Sequence, residues 1–359
     1  MPIELFEQCV REQLADEFAS YQPPTPTVLD FDKWVLRSLL QKALRRDEPD
    51  WAIPAAASLL RIDPAGLWRR LLVVGYEDLS LGDLALLSQL VAARSKRWRA
   101  SVVDEWTFVA YLVERLCAAP KCRAPNNLIE IAKYDPAIRA SARNLTHMPF
   151  EDVLTHAITG LSLPDRLTAT ASLYGRSSEF EPHPEADTER VISTLLGEAP
   201  PALVYCVSEG LVATRLDHPL AMAVLFKAMP QEPRVTADDS FPPVSLVRGI
   251  PAYAFDMHTR AGAAAIRSFV RQAREVREAL RSSGVPERGW FELVRHCVFD
   301  LETGLVKRRV IDPVSLDLRR HAETVGYGRT PENALAIMGA IRASWSLYAD
   351  LRSSLAGAS

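Results

Sequence analysis

The sequence predicts an all-α fold, an array of antiparallel helices with a Pro-rich extended connector and few or no strands. Three observations carry this. Apolar residues recur at helical spacing along most of the chain. Prolines outnumber glycines, 25 to 16, as suits helices with Pro-marked starts and few sheet turns. Punctuation falls where short helices should stop, at Asp47-Glu48-Pro49, Asp63-Pro64 and Ser80-Leu81-Gly82.

Residues 1–30 read as one amphipathic helix (Ile3, Leu5, Phe6, Cys9, Val10, Leu14, Phe18) followed by the extended linker YQPPTPTVLD. Residues 31–133 form a compact helical domain with apolar sets at Trp34, Val35, Leu39, Leu40 and Ala43, then Leu67, Leu71, Leu72 and Val74, then Leu84, Leu87 and Val91. Residues 134–230 continue the helical pattern, with starts at Leu163, Asp187, Pro201 and Pro219. The fourth part, 231–359, opens with an ordered extended stretch through Asp256 holding one short strand. A single long helix is expected from Ala261 to Ser282, another over Arg288–Leu301, an irregular run from Leu305 to Asp317, and a last helix capped by Thr330 with Pro331 in its first turn.

Composition excludes several classes. A net charge of −3 gives no global attraction to nucleic acid or anionic lipid, so any DNA contact must come from a local patch. The five cysteines are scattered, with no Cys-x-x-Cys, and no His pair has metal-ligand spacing; reduced cytosolic thiols are the natural expectation. No apolar run approaches the ~20 residues of a membrane span, and no signal core opens the chain, so a soluble, cytoplasmic protein is expected. Phosphate-loop, Gly-x-Gly-x-x-Gly, Gly-x-Ser-x-Gly and His-Glu-x-x-His motifs are missing, and GYGRT at Gly326 lacks the lysine of a phosphate loop. No cofactor, metal ligand or catalytic residue is therefore assigned.

Three blocks, QKALRRDEPDWAIPAAASLL, WRRLLVVGYEDLSLGD and LCAAPKCRAPNN, occur in that order. They resemble the C-terminal helical region of MgsA/RarA-type AAA+ ATPases, clamp-loader relatives that act in replication and recombination. The matching residues are Lys42, Arg46, Asp50, Arg69, Arg70, Glu77, Asp78, Asp83, Pro120 and Lys121. The likeness spans residues 31–127, and the family's motor is missing. It implies an oligomerising collar, and a protein that forms a homo-oligomer or a complex with an AAA+ ATPase. Nucleotide chemistry would then belong to the partner.

Two basic groups are candidate contacts for DNA or other anions. Arg94, Lys96, Arg97 and Arg99 surround Trp98, offering cations for phosphates and a ring for a base. Arg267, Arg271, Arg274 and Arg281 share one side of the expected long helix. A polar cluster, Arg248, Asp256, His258 and Arg260, is the third candidate. On an extended segment the last three share a face, where the carboxylate would orient the imidazole beside a guanidinium. Glu77-Asp78 is expected to cap the next turn or pair with Arg69 or Arg70 rather than bind metal. Three functions follow: a non-motor interaction protein of DNA replication, recombination or repair; an enzyme or anion-binding protein with a pocket around Asp256, His258 and Arg260; or a purely structural helical subunit.

Overall fold

The computed structural model describes the chain except residues 103, 178–179, 231–234, 327–328 and 358–359. The Gly326 loop and the chain end are thus only partly within the described residues. The first helices are α1 (Ile3–Phe18), α2 (Lys33–Arg46), α3 (Pro49–Ile62), α4 (Pro64–Val74), α5 (Leu84–Ala92), α6 (Lys96–Val102) and α7 (Glu105–Ala118). Next come α8 (Ala124–Tyr134), α9 (Pro136–Ala142), α10 (Phe150–Thr159), α11 (Leu163–Tyr174), α12 (Thr188–Leu196), α13 (Pro201–Ala213) and α14 (His218–Phe226). The last are α15 (Arg260–Gln272), α16 (Arg274–Ser282), α17 (Glu287–Val298), α18 (Pro313–Val325), α19 (Pro331–Ala343) and α20 (Trp345–Gly357). The fold is all-α.

Local chemistry sets these boundaries. Asp32 accepts from the Trp34 and Val35 amides to start α2, and the chain leaves that helix through Asp47 in the left-handed region, φ 53°. Asp63 with Pro64 starts α4, Asp83 starts α5 and Asp187 starts α12, each carboxylate accepting from an amide of the first turn. Each such cap stabilises its helix by about 0.5–2 kcal/mol.

Four short strands accompany the helices, three of them before Asp256 where one was expected. β1 (Val235–Ala237) pairs antiparallel with β4 (Arg309–Ile311), Val235 opposite Ile311. β2 (Leu246–Val247) and β3 (Ile250–Pro251) form a hairpin whose two turn residues, Arg248 and Gly249, have φ of 53° and 82°.

Three expectations about the C-terminal part are corrected. The helix expected over Ala261–Ser282 breaks at Ala273, where ψ is 102°, into α15 and α16. A straight helix of that length would run roughly 33 Å. The break lets α15 pack on α17 and α20 while α16 packs on α19, so Phe269, Ala273, Val276 and Leu280 all reach one core. The last helix likewise divides at Ser344 into α19 and α20. The run expected to be irregular contains β4 and the start of α18, which Asp312 caps and Pro313 opens.

Two cores result. The larger joins α1–α5, α7, α8 and α10–α14 with the segment before α15 and one side of α18; the smaller joins α15, α16, α17, α19 and α20. Two five-residue π-helical turns, Gly75–Leu79 and Phe299–Thr303, come together where the cores meet. Arg45 ties them, donating from Nε to Asp78 Oδ2 at 2.9 Å and from a terminal nitrogen to the Thr303 carbonyl at 2.6 Å.

Candidate functional site: a cationic cleft beside an aromatic ledge

α2 turns a polar stripe, not an apolar one, toward the junction of the cores. Trp34, Arg37, Ser38, Gln41, Lys42 and Arg45 recur at steps of three and four, and all line one cleft of about 600 Å³. α4 adds Arg70, α8 adds Lys133, the residue before α8 adds Arg123, and α17 adds Arg295 and His296. Seven lysines and arginines thus meet four carboxylates, Glu77, Glu130, Asp256 and Glu292. Asp63 and Asp78, just behind the wall, pair with Arg37, Arg45 and Arg123, so the cleft keeps a small cationic excess in a chain that is acidic as a whole.

Its floor is a buried ionic network. Asp78, fully buried, accepts from Arg45 on one oxygen and Arg123 on the other. Burial alone would raise its pKa, but the two guanidiniums outweigh burial and hold it at about 2. Gln41 donates to Glu77 at 2.9 Å and accepts from Arg70 at 2.9 Å, so it fixes the Arg70 guanidinium at the wall. The Phe299 ring lies under both Arg45 and Arg123, 5.4 and 5.9 Å from its centroid. Ser38 is buried, and its Oγ has no hydrogen-bond partner among the described protein groups. An unpaired buried hydroxyl costs about 1–3 kcal/mol, and this one belongs to a cleft-lining residue.

The predicted polar cluster is rearranged. Residues 256–259 form a turn rather than an extended run, so Asp256, His258 and Arg260 do not share one face. Asp256 is 1% exposed and pairs with Lys42, itself 3% exposed; its other oxygen accepts the His258 backbone amide at 2.9 Å. Stranding either buried charge would cost about 3–5 kcal/mol, so the carboxylate is committed to Lys42 and does not orient the imidazole. Gly262 makes this possible: a Cβ there would stand 1.9 Å from the Asp256 carbonyl oxygen. Glu77 and Asp78 pair with Arg45 and Arg123, not with Arg69 or Arg70, because the π turn carries them toward α2 and α8.

A second cleft, of about 810 Å³, adjoins the first and shares Trp34 and His258 with it. Its walls include Phe31, Phe255, Arg248 and the N-terminus of α15 at Thr259 and Arg260. Phe31 packs edge-on against Phe255 at 6.2 Å, and the Arg248 guanidinium lies 4.9 Å from the Phe31 centroid. Arg248 occupies a left-handed conformation that Asn or Gly would adopt more cheaply, a strain of order 1–3 kcal/mol. Trp34 is 54% exposed, with the Arg37 and Lys33 cations 5.1 and 5.7 Å from its ring.

The other predicted contacts lie elsewhere. Arg94 pairs with Glu209; Lys96 and Arg97 are exposed; Trp98 is half-buried, edge-on to Phe108. Arg99 is buried and donates to the Ala93 and Arg94 carbonyls and to Glu105. Arg267, Arg271, Arg274 and Arg281 are exposed but split between α15 and α16. Arg274 bonds Glu278, while Arg267 and Arg281 lie over Phe291 and Trp290. Of the ten residues matched to the collar-type region, Lys42, Arg70, Glu77 and Asp78 enter the network or line the cleft. Lys121 is buried and donates to the carbonyls of Leu116, Cys117 and Ala119. Burial lowers its pKa to about 8.

Sequence reasoning missed Arg37, Ser38, Arg123, Lys133 and Arg295 as cleft residues. For Arg37 and Ser38 the available signal was the polar stripe of α2; Arg123, Lys133 and Arg295 carried none. Among the described residues no group of three or more His, Cys, Asp or Glu could hold a metal ion. Likewise, none of their helices is long and apolar enough to cross a membrane. No protein-family model, no curated protein and no solved structure matches the chain.

Proposed function

We propose that this chain is a non-motor binding protein of DNA replication, recombination or repair that holds phosphate groups in the cationic cleft. The observation that carries the reading is that seven cations and four carboxylates line one cleft of an acidic protein, with Arg70 held there by Gln41 rather than by a carboxylate. Such a cleft with low-dielectric walls focuses its field on an incoming anion. Ser38 and the Gln41-held Arg70 offer directed donors as well as charge. The DNA context, and work beside an AAA+ ATPase or in a homo-oligomer, rest on the likeness of residues 31–127 to the collar-type region. The reading of Asp256, His258 and Arg260 as an enzyme's working group is disfavoured, because Lys42 takes the carboxylate.

Fluorescence anisotropy with a labelled 20-nucleotide strand, from 50 to 300 mM salt, tests the binding half. Affinity should fall with a log–log slope of roughly −0.7 for each phosphate neutralised, and inorganic tripolyphosphate should compete. No binding at 50 mM salt would end this reading.

A further inference from the structure

We propose that the ligand is a single-stranded nucleic acid, with one base laid on the Trp34 ledge and the flanking phosphates in the cationic cleft. This rests on the phosphate-binding reading above and names its ligand class. The two clefts differ in chemistry. One is lined by more cations than carboxylates, the other by Phe31, Phe255 and Trp34 with Asp30, Asp32, Arg248 and Arg260, and Trp34 belongs to both. A large aromatic left 54% exposed in the second residue of a helix contributes little to the core. Its orientation is nevertheless constrained: Arg37 lies 5.1 Å from its centroid and is itself held by Asp63. A cation-flanked ring at the border of an anion-binding cleft suits a ligand with a flat apolar face beside negative charge. A nucleotide strand has both.

The second cleft offers the next position along such a strand. Arg248, at the tip of the β2–β3 hairpin, sits over Phe31 and brings a cation to the aromatic wall. The N-terminus of α15, thirteen residues long and capped by Thr259, opens on the same space, where Arg248 and Arg260 balance Asp30 and Asp32 and where Asp32 is taken up in capping α2, so that the helix end can favour a second phosphate. Bases stacked inside a duplex cannot reach the ledge, so the strand must be single.

The full chain would be titrated into labelled dT10, an abasic decamer of the same charge, and a ten-base-pair duplex, with wild type and Trp34→Ala. Stacking predicts that dT10 binds wild type about 5- to 150-fold more tightly than the abasic strand. Trp34→Ala should remove that difference while binding the abasic strand as wild type does. Trp34 is exposed, so thermal melting should not move. Equal affinity for dT10 and the abasic strand would overturn the ledge and leave the phosphate cleft standing. Duplex binding as tight as dT10 would overturn it too. So would a Trp34→Ala variant that also loses the abasic strand, because Trp34 would then act by positioning Arg37. Failure of every probe would remove both proposals together.

Discussion

Glu130 shows how one residue reports on the cleft. It lines the cleft wall, accepts from Asn126 at 3.0 Å, and has the charge of Asp300 nearby. Burial first, and then that like charge, raise its pKa to about 7 from an ordinary 4.5, against the pull of Arg123. The sign follows from linkage. Between these values the folded chain holds a proton that the unfolded chain releases, so this contribution is complete below pH 4.5 and is lost as pH rises through 7. His296 works the other way: burial first, then the positive charge of Arg295, lower it to about 3, so its contribution grows as pH rises toward 6.5. Comparing variants separates the two. Urea unfolding at pH 5, 6, 7 and 8 should show wild type losing stability relative to Glu130→Gln as pH rises. Parallel curves would mean that Glu130 titrates normally. None of this was readable from the sequence, because Glu130 and Asp300 are 170 positions apart and only the fold makes them neighbours.

At the scale of elements, the two π turns and the guanidinium between them hold the cores together. Arg45→Met should free Asp78 from one partner and the Thr303 carbonyl from its donor, while Arg123 still holds Asp78. Breaking a buried pair in this way costs about 3–5 kcal/mol. Hydrogen exchange should therefore quicken at Gly75–Leu79 and Phe299–Thr303 together. Faster exchange at only one turn would show that Arg45 does not couple them. Helix starts were legible because caps and prolines act within three or four residues, as at Asp187 and Thr330. The breaks at Ala273 and Ser344 were not, since Ala favours helix, a lone Ser seldom ends one, and the flanking residues share a core contacted from two directions. α18 was legible and overlooked, for Asp312-Pro313 is an ordinary helix start. The polar stripe of α2 was visible as spacing, but spacing does not distinguish a solvated face from one turned into a cleft.

For the whole molecule, the positive surface that matters is defined by two cores meeting, not by any run of basic residues. Arg37, Arg70, Arg123, Lys133 and Arg295 come from four helices and a loop, and no local window of sequence collects them. The basic runs that such windows do collect are paired as the cleft cations are, but line neither cleft: Arg99 is buried on carbonyls, Arg94 holds Glu209 and Arg274 holds Glu278. The most direct measurement of that claim is strand affinity across a salt series for wild type, Arg70→Gln/Arg295→Gln and Arg267→Gln/Arg271→Gln. The cleft variant should bind at least about tenfold more weakly, as expected for losing charged hydrogen bonds. Its salt slope should be shallower by about 1.4, for two phosphates no longer neutralised, and the α15 variant should match wild type. Unchanged binding by the cleft variant, with the loss appearing in the α15 variant instead, would contradict the account.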